Sequence, residues 1–522
     1  MATMNPITKA KLLLVGKLLL MLVFAISFRQ WPLYSSNQNT YFLHGLANAG
    51  VGFLNLDWLS QTADPSPVFS ALVSVTIQVL GEKFFYFFYI AILAIYGYSI
   101  LGIAFYVYGI DNSNIKYLSY FSLLTLWYSG FVVSLLSKLH VLLRFASILD
   151  PNGLLTWGVA GQYILGPVFQ PSTFGVFLVL SIYSFLRDKP FMAVACLSIA
   201  ATFHSTYLLS AAVITCTYIA VIVIKEKNYR KALLLGTIAL VLVMPILTYI
   251  QLNFNPTTAD IYAQAQSILV DYRMPHHTKV TSWFGKSILF QIIVVALSIY
   301  LVRRTKLFPI LLMPFLAATI LTVAQFLTGN KYLALLFPWR ISVFLVPIAS
   351  SIILASIVSV AFQIFSKPIS RIVRPLQSAI LAVIIILSYL GVHHTITLLN
   401  APKVDLSAST RFVASTFQHG NLYLIPPDVE SFRLAARVPI LVDFKSHPYK
   451  DTEIVEWFNR VEIAKDFYAS SRDTACSILK NMSDKYGITH VIFRSDSSIA
   501  NCGLLHELYR DTDFAIYEVQ NH

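Results

Sequence analysis

Charge is what this sequence lacks most. Of its 522 residues 12% are charged and 57% are hydrophobic, whereas an ordinary soluble domain carries about 25% charged residues. That shortage excludes a soluble globular chain. Acidic groups are scarcest in the first part: residues 1–395 hold 9 Asp or Glu against 25 Lys or Arg, while residues 396–522 hold 16 against 13. The net charge of +13 therefore divides into +16 and −3. The basic residues sit in short loops between apolar runs and are not gathered on one soluble face, which excludes nucleic acid as a partner. Cysteine is also sparse, at four. Cys196 and Cys216 lie inside apolar runs, Cys476 and Cys502 lie in the polar C-terminal part, and no metal-type spacing occurs. Internal repeats and low-complexity segments are absent.

What is present is a series of uncharged apolar runs, such as 232–250, and a bilayer span needs roughly 20 such residues. Spans are expected near 12–28, 84–108, 117–137, 170–186, 190–203, 205–224, 232–250, 286–302, 307–327, 340–365 and 377–396, about 11 transmembrane helices in all. The first follows Lys9 and Lys11, has no small-residue cleavage site and reads as a retained anchor. Short basic connections (Lys9/Lys11, Lys116, Arg187/Lys189, Lys225 to Lys231, Arg303 to Lys306, Lys367 to Arg374) alternate with longer mixed loops. The positive-inside rule makes the basic class cytoplasmic. The expectation is a multi-pass inner (plasma) membrane protein, N-terminus inside and C-terminal domain outside. This depends on 190–224 being a tight hairpin turning near His204, since a single span there would leave the tail in the cytoplasm.

The expected domains are 1–396, transmembrane, and 397–522, an extracytoplasmic α/β domain. Short β-type runs at 422–425, 439–442 and 490–493 accompany helical spacing at 452–464 and 475–486. Two outer loops are large, 29–83 and 251–285. In the first, residues 67–80 are apolar but too short to span, as an interfacial helix would be. Gly166-Pro167 and Pro171 break the apolar region 153–186, and broken backbone at membrane depth is tolerated where it lines a cavity.

This topology leaves six outer carboxylates in the membrane part: Asp57, Asp64, Glu82, Asp150, Asp260 and Asp271. Asp57, flanked by Leu56, Trp58 and Leu59, is the catalytic candidate. A carboxylate in partly apolar surroundings has a raised pKa and can act as a general base on a sugar hydroxyl. Asp64 would assist. The plainer alternatives are helix capping by Asp57 and a turn at Asp64-Pro65. A second set is basic: Lys138, Arg144, His204, Arg273, His276, His277, Lys279 and Arg340. Arg340, Arg273, His276, His277 and His204 are the substrate-binding candidates, because arginine holds phosphate oxygens in a fixed fork and keeps its charge when desolvated. Such a cluster suits a polyprenyl phosphate or pyrophosphate. Lys138 and Lys279 read as snorkelling to lipid headgroups. His276-His277 lacks a carboxylate at a telling spacing, so no metal ligand is assigned. In the tail, Phe444-Lys445-Ser446-His447-Pro448-Tyr449-Lys450-Asp451, with Glu453, Glu456 and Trp457, is dense in polar and aromatic groups and could help bind an acceptor, or be a solvated loop leading into a helix.

A long first outer loop carrying Asp57 and Asp64, then Pro65-Ser66-Pro67-Val68-Phe69-Ser70-Ala71-Leu72, resembles the GT-C superfamily of multipass glycosyltransferases, in particular its protein mannosyltransferase-like and aminoarabinose-transferase-like members. The adjacent acidic pair of many members is not matched, since Asp57 and Asp64 are seven apart. Phe169-Gln170-Pro171-Ser172, Phe337-Pro338-Trp339-Arg340 and the stretch from Asp443 to Tyr449 also look like phrases of an uncharacterised family of bacterial multipass membrane proteins. The GT-C resemblance implies a helical polytopic fold with an outer soluble domain. It also implies a membrane glycosyltransferase that moves a sugar from a polyprenyl-phosphate-linked donor to an extracytoplasmic glycan, lipid or protein acceptor, and it leaves a divalent metal cofactor open. A polysaccharide polymerase or ligase would instead rest on Arg and His groups in 251–285. A lipid-linked saccharide transporter would be favoured by inverted repeats and by charged residues near the bilayer midplane, of which Lys17 alone is a candidate; a non-catalytic membrane scaffold whose tail binds a partner is a third alternative.

Overall fold

In the computed structural model, residues 6–132, 153–401, 408–495 and 503–520 are described, side chains at 6–14, 366–372 and 472 excepted. The apolar runs fold as helices because only a helix satisfies its own backbone polar groups in hydrocarbon. Among the described residues six helical stretches are long and apolar enough to cross a membrane: Phe84–Tyr108, Ser205–Glu226, Tyr229–Asn253, Leu307–Thr328, Lys331–Ile364 and Val373–Asn400. Shorter apolar helices cover Val15–Ser27, Pro67–Val79, Pro171–Leu186, Pro190–Phe203 and Lys286–Leu301. The expected spans all contain helix; the third, Asn114–Tyr128, is followed only as far as residue 132. The protein is an α-helical polytopic membrane protein with a small C-terminal sheet.

The chain divides into two compact units. The first comprises Met1–Gln30, Phe85–Ile246 and Met274–Asn400. Its helices present large apolar residues outward, as Leu233, Leu240 and Val241 do on Tyr229–Asn253, the arrangement that lipid demands. Inside, hydroxyls pair with hydroxyls: Tyr120 with Ser351 at 2.6 Å and Tyr96 with Tyr128 at 2.9 Å. Residues 190–226 form two helices, broken at His204, whose backbone is extended (φ −147°, ψ 99°). The segment before Val176 is irregular, with short turns at Val159–Gly161 and Pro171–Gly175 and most of its side chains buried.

The second unit joins Trp31–Phe84, Leu247–Arg273 and Ala401–His522. Most of the first long loop and the first part of the second therefore share one body with the tail. The sheet runs β1-β2-β4-β3, with β1 (Tyr423–Leu424) parallel to β2 (His490–Arg494), and β4 (Phe514–Val519) antiparallel to both β2 and β3 (Leu505–Arg510). The expected strand at 439–442 is reduced to a single bridge between Ile440 and Tyr423. Val413, Tyr423, Ile425, Phe432, Val438, Ile440, Ile492 and Ile516 make the core, flanked by the helices Asp451–Ala469 and Arg472–Tyr486. Cys476 is disulfide-bonded; Cys502 lies outside the described residues.

Candidate functional site

In the second unit Asp57 ends one short turn and begins the next. Its Oδ1 accepts the Leu59 N–H at 2.9 Å, capping Trp58–Gln61. Its Oδ2 accepts from Arg433 Nε at 2.9 Å and from the Ile440 N–H at 3.0 Å. Arg433 Nη1 reaches Asp443 Oδ2 at 2.6 Å, and Asp443 Oδ1 accepts the Ser446 N–H at 2.6 Å. Asp57 and Asp443 are wholly buried and Arg433 nearly so. Burial pushes the Asp443 carboxyl up while the Arg433 charge pulls it down, with burial the larger effect. Asp57 thus makes the contacts of a structural carboxylate, as one acid of a buried acid–base–acid triad centred on Arg433.

Asp64 is placed differently. Its Oδ1 accepts the Ser66 N–H at 2.8 Å in a turn before the helix Pro67–Val79, and its backbone carbonyl accepts from the Tyr249 hydroxyl at 2.8 Å. The other carboxylate oxygen has no hydrogen bond among the described residues, and Asp64 is only half-buried. It lines a small cleft together with Thr40, Tyr41, His44, Ser66 and His447. His44 Nε2 lies 3.1 Å from the Thr62 carbonyl. His447 is 6% exposed and neither of its ring nitrogens has a hydrogen-bond partner among the described residues. Burial, then the Arg273 charge, lowers its pKa to about 3. Arg273 lies in this same unit. Its Nη2 donates to the Lys445 carbonyl at 2.6 Å, its guanidinium stands 5.2 Å from the Phe444 ring centre, and its Nε has no partner among the described residues. The Lys445 backbone favours the charged form of the His447 ring, against the lowering by burial.

Arg340, His204, His276 and His277 belong to the first unit. Arg340 Nη1 donates to His204 Nε2 at 2.8 Å and to Thr206 Oγ1 at 2.6 Å. A guanidinium cannot accept, so Nε2 is the acceptor and the imidazole is neutral with its proton on Nδ1. Burial, then the Arg340 charge, holds His204 well below the usual histidine range. Arg340 makes no ion pair among the described residues and its buried Nε is unpartnered. His277 Nδ1 meets the Ala160 carbonyl at 2.7 Å, and the His276 ring lies beside it, centres 4.1 Å apart and planes tilted by 48°. Of the basic candidates, then, Arg340 and His204 are in direct contact, whereas Arg273 belongs to the other body. Lys138, Arg144 and Asp150 lie outside the described residues. Trp339, next to Arg340, lines an apolar groove of about 570 Å³ with Trp283, Phe284, Phe315, Phe326 and Leu345. Both indole N–H groups in it are buried without hydrogen-bond partners among the described residues.

Sequence reasoning missed Arg433 and Thr206, and it treated Asp443 only as part of a phrase. Arg433 carried a usable signal, a charged residue inside the otherwise apolar run Phe432–Ala436. Among the described residues no three His, Cys, Asp or Glu side chains come together as a metal centre would require, so no step is assigned to a metal.

Residues 404–464 match a family described as a domain of unknown function, DUF6798. No curated protein matches the sequence. Among solved structures the chain is similar to ArnT from Cupriavidus metallidurans, both in the apo state and bound to undecaprenyl phosphate. Each comparison gives 13% identity and a TM-score of 0.45 over 98% of this chain and 98% of that one.

Proposed function

We propose that the chain is a membrane glycosyltransferase that takes a sugar from a polyprenyl-phosphate-linked donor and passes it to an acceptor hydroxyl outside the cytoplasm. The observation that carries this reading is the apolar groove of about 570 Å³ lined by Trp339, the residue that precedes Arg340 in the chain. A groove with aromatic walls accepts an isoprenoid chain, and Arg340, which has no carboxylate partner among the described residues, supplies a charge for its phosphate. The unpartnered N–H groups of Trp339 and Trp283 are further donors for phosphate oxygens. His204 and Thr206 fix the guanidinium, and because His204 stays neutral it subtracts nothing from the attraction.

In the transfer, the acceptor oxygen forms a bond to the anomeric carbon while the bond from that carbon to the phosphate oxygen breaks. The electron pair leaves on the phosphate, whose developing charge is the main thing to neutralise. The acceptor proton goes to a carboxylate, and we assign that role to Asp64 because its second oxygen is unengaged. Asp57 acts through Arg433 as a positioning residue for the loop that carries Asp64. Arg273, His276 and His277 remain supporting groups for anionic parts of donor or acceptor.

The test uses the purified full-length protein in nanodiscs, with undecaprenyl phosphate and unphosphorylated undecaprenol as probes. The phosphate should be held at least about tenfold more tightly, the worth of one charge-assisted contact, and Arg340→Ala should erase that preference while leaving undecaprenol binding intact. Equal binding of the two lipids by the wild type would overturn the reading.

A further inference from the structure

We infer that His447 is a binding residue for a neutral hydroxyl group, the acceptor hydroxyl that Asp64 deprotonates. The inference rests on the transferase reading and adds the group that holds the acceptor. Its starting point is an anomaly. Buried polar atoms are nearly always hydrogen-bonded, yet both nitrogens of this 6% exposed imidazole have no partner among the described residues.

The ring is held in place by what surrounds it. Tyr449 lies 4.9 Å away at 34° and Trp457 lies 5.9 Å away at 56°, centre to centre. The helix beginning at Asp451 supplies Trp457, whose Nε1 donates to the Asp443 carbonyl at 3.1 Å. The buried triad therefore sets the loop that delivers His447. On the other side is the cleft with Asp64, His44, Tyr41, Thr40 and Ser66, which has room for about one water-sized group.

The chemistry of those walls selects the ligand. A neutral imidazole offers one N–H donor and one lone pair, and a hydroxyl is the small group that both accepts and donates. An anion would face the Asp64 carboxylate. A cation would face Arg273, whose charge already bears on this ring. A hydroxyl that accepts from one His447 nitrogen can turn its own proton to the unengaged oxygen of Asp64, the geometry needed before that proton moves. His447 binds and Asp64 takes the proton.

The experiment is saturation-transfer NMR on the full-length protein in nanodiscs. Three probes are used, methyl α-D-mannopyranoside, methyl β-D-glucopyranoside and methyl β-D-galactopyranoside, with undecaprenyl phosphate binding measured in parallel. At least one glycoside should bind the wild type. His447→Phe, which keeps the ring and removes both nitrogens, should weaken it about tenfold or more, and His447→Gln, which keeps a donor and an acceptor, should restore part of the loss. Lipid binding should be unchanged in both variants. Should His447→Phe fold poorly, ¹⁵N-histidine spectra of the wild type decide, because the same glycoside should shift the His447 nitrogens. Glycoside binding untouched by His447→Phe, histidine nitrogens that do not respond, or no glycoside bound at all would each overturn the inference. A wild type that binds a glycoside through His447 but does not prefer the phosphorylated lipid would sink the transferase reading alone.

Discussion

Asp57 and Arg433 form a fully buried ion pair at 2.9 Å across 376 residues of sequence. The pair ties the first long loop to the C-terminal segment, and Asp443 completes it from the other side of the guanidinium. Removing one member of such a set strands the remaining charges in a medium that cannot solvate them, at about 3–5 kcal/mol. Arg433→Met should therefore lower the melting temperature sharply and increase proteolysis of the C-terminal unit. Asp57→Asn keeps the cap to Leu59 but loses the charge, so its activity should fall only in step with its stability. A variant that melts like the wild type but has lost turnover would return the base role to Asp57.

Asp64 carries the opposite expectation. Its side chain makes one local hydrogen bond, to the Ser66 N–H, which an asparagine oxygen can still accept. Asp64→Asn should leave melting and lipid binding unchanged and reduce transfer by about 10²–10⁴, the usual contribution of a general base. Unimpaired transfer, with His276→Ala inactive, would favour the polymerase or ligase reading.

Orientation can be measured directly. The second unit contains most of the first long loop, residues 247–273 and the tail, so one reporter locates all three. Alkaline phosphatase fused after His522, active only outside the cytoplasm, should be active. A stable, inactive fusion would place the whole unit inside.

The helical part was legible because its signal is local. Hydropathy marked the six helices long and apolar enough to cross a membrane, and the polar His204 between two apolar runs marked the break that the extended backbone at that residue makes. The tail was legible only in part. β3 exposes residues on both faces, so Leu505–Arg510 has no alternation to read. The strand expected at 439–442 instead uses the Ile440 N–H to serve Asp57. No periodicity connects Asp57 to a partner 376 residues away. Its apolar neighbours, which suggested a carboxylate poised for proton transfer, belong to a site where burial is satisfied by Arg433. The acidic residue that kept an oxygen unengaged was the one beside the prolines, where the turn holds it at the cleft.

The titration of His447 supplies the last prediction. Its folded-state pKa is lowered to about 3, by burial first and then by the Arg273 and Lys445 charges, with the Lys445 carbonyl acting the other way; Asp64 and His44 share the cleft with it. An unfolded chain protonates this ring near pH 6.5. Below that pH the unfolded state binds a proton that the folded state refuses, so stability is complete above about 6.5 and declines as pH falls towards 3. At pH 5 the loss from this residue is about 2 kcal/mol, from a difference of about 1.5 units between pH and unfolded pKa. His204, in the first unit, is shifted in the same direction and adds to the slope. Melting of the wild type and of His447→Gln, compared between about pH 7.5 and about pH 5, should show the wild type losing more, with the two curves converging towards acid. Parallel curves would mean that the native ring takes up its proton at ordinary pH. A charged imidazole donates from both nitrogens and no longer accepts, and the match to a hydroxyl would fail with it.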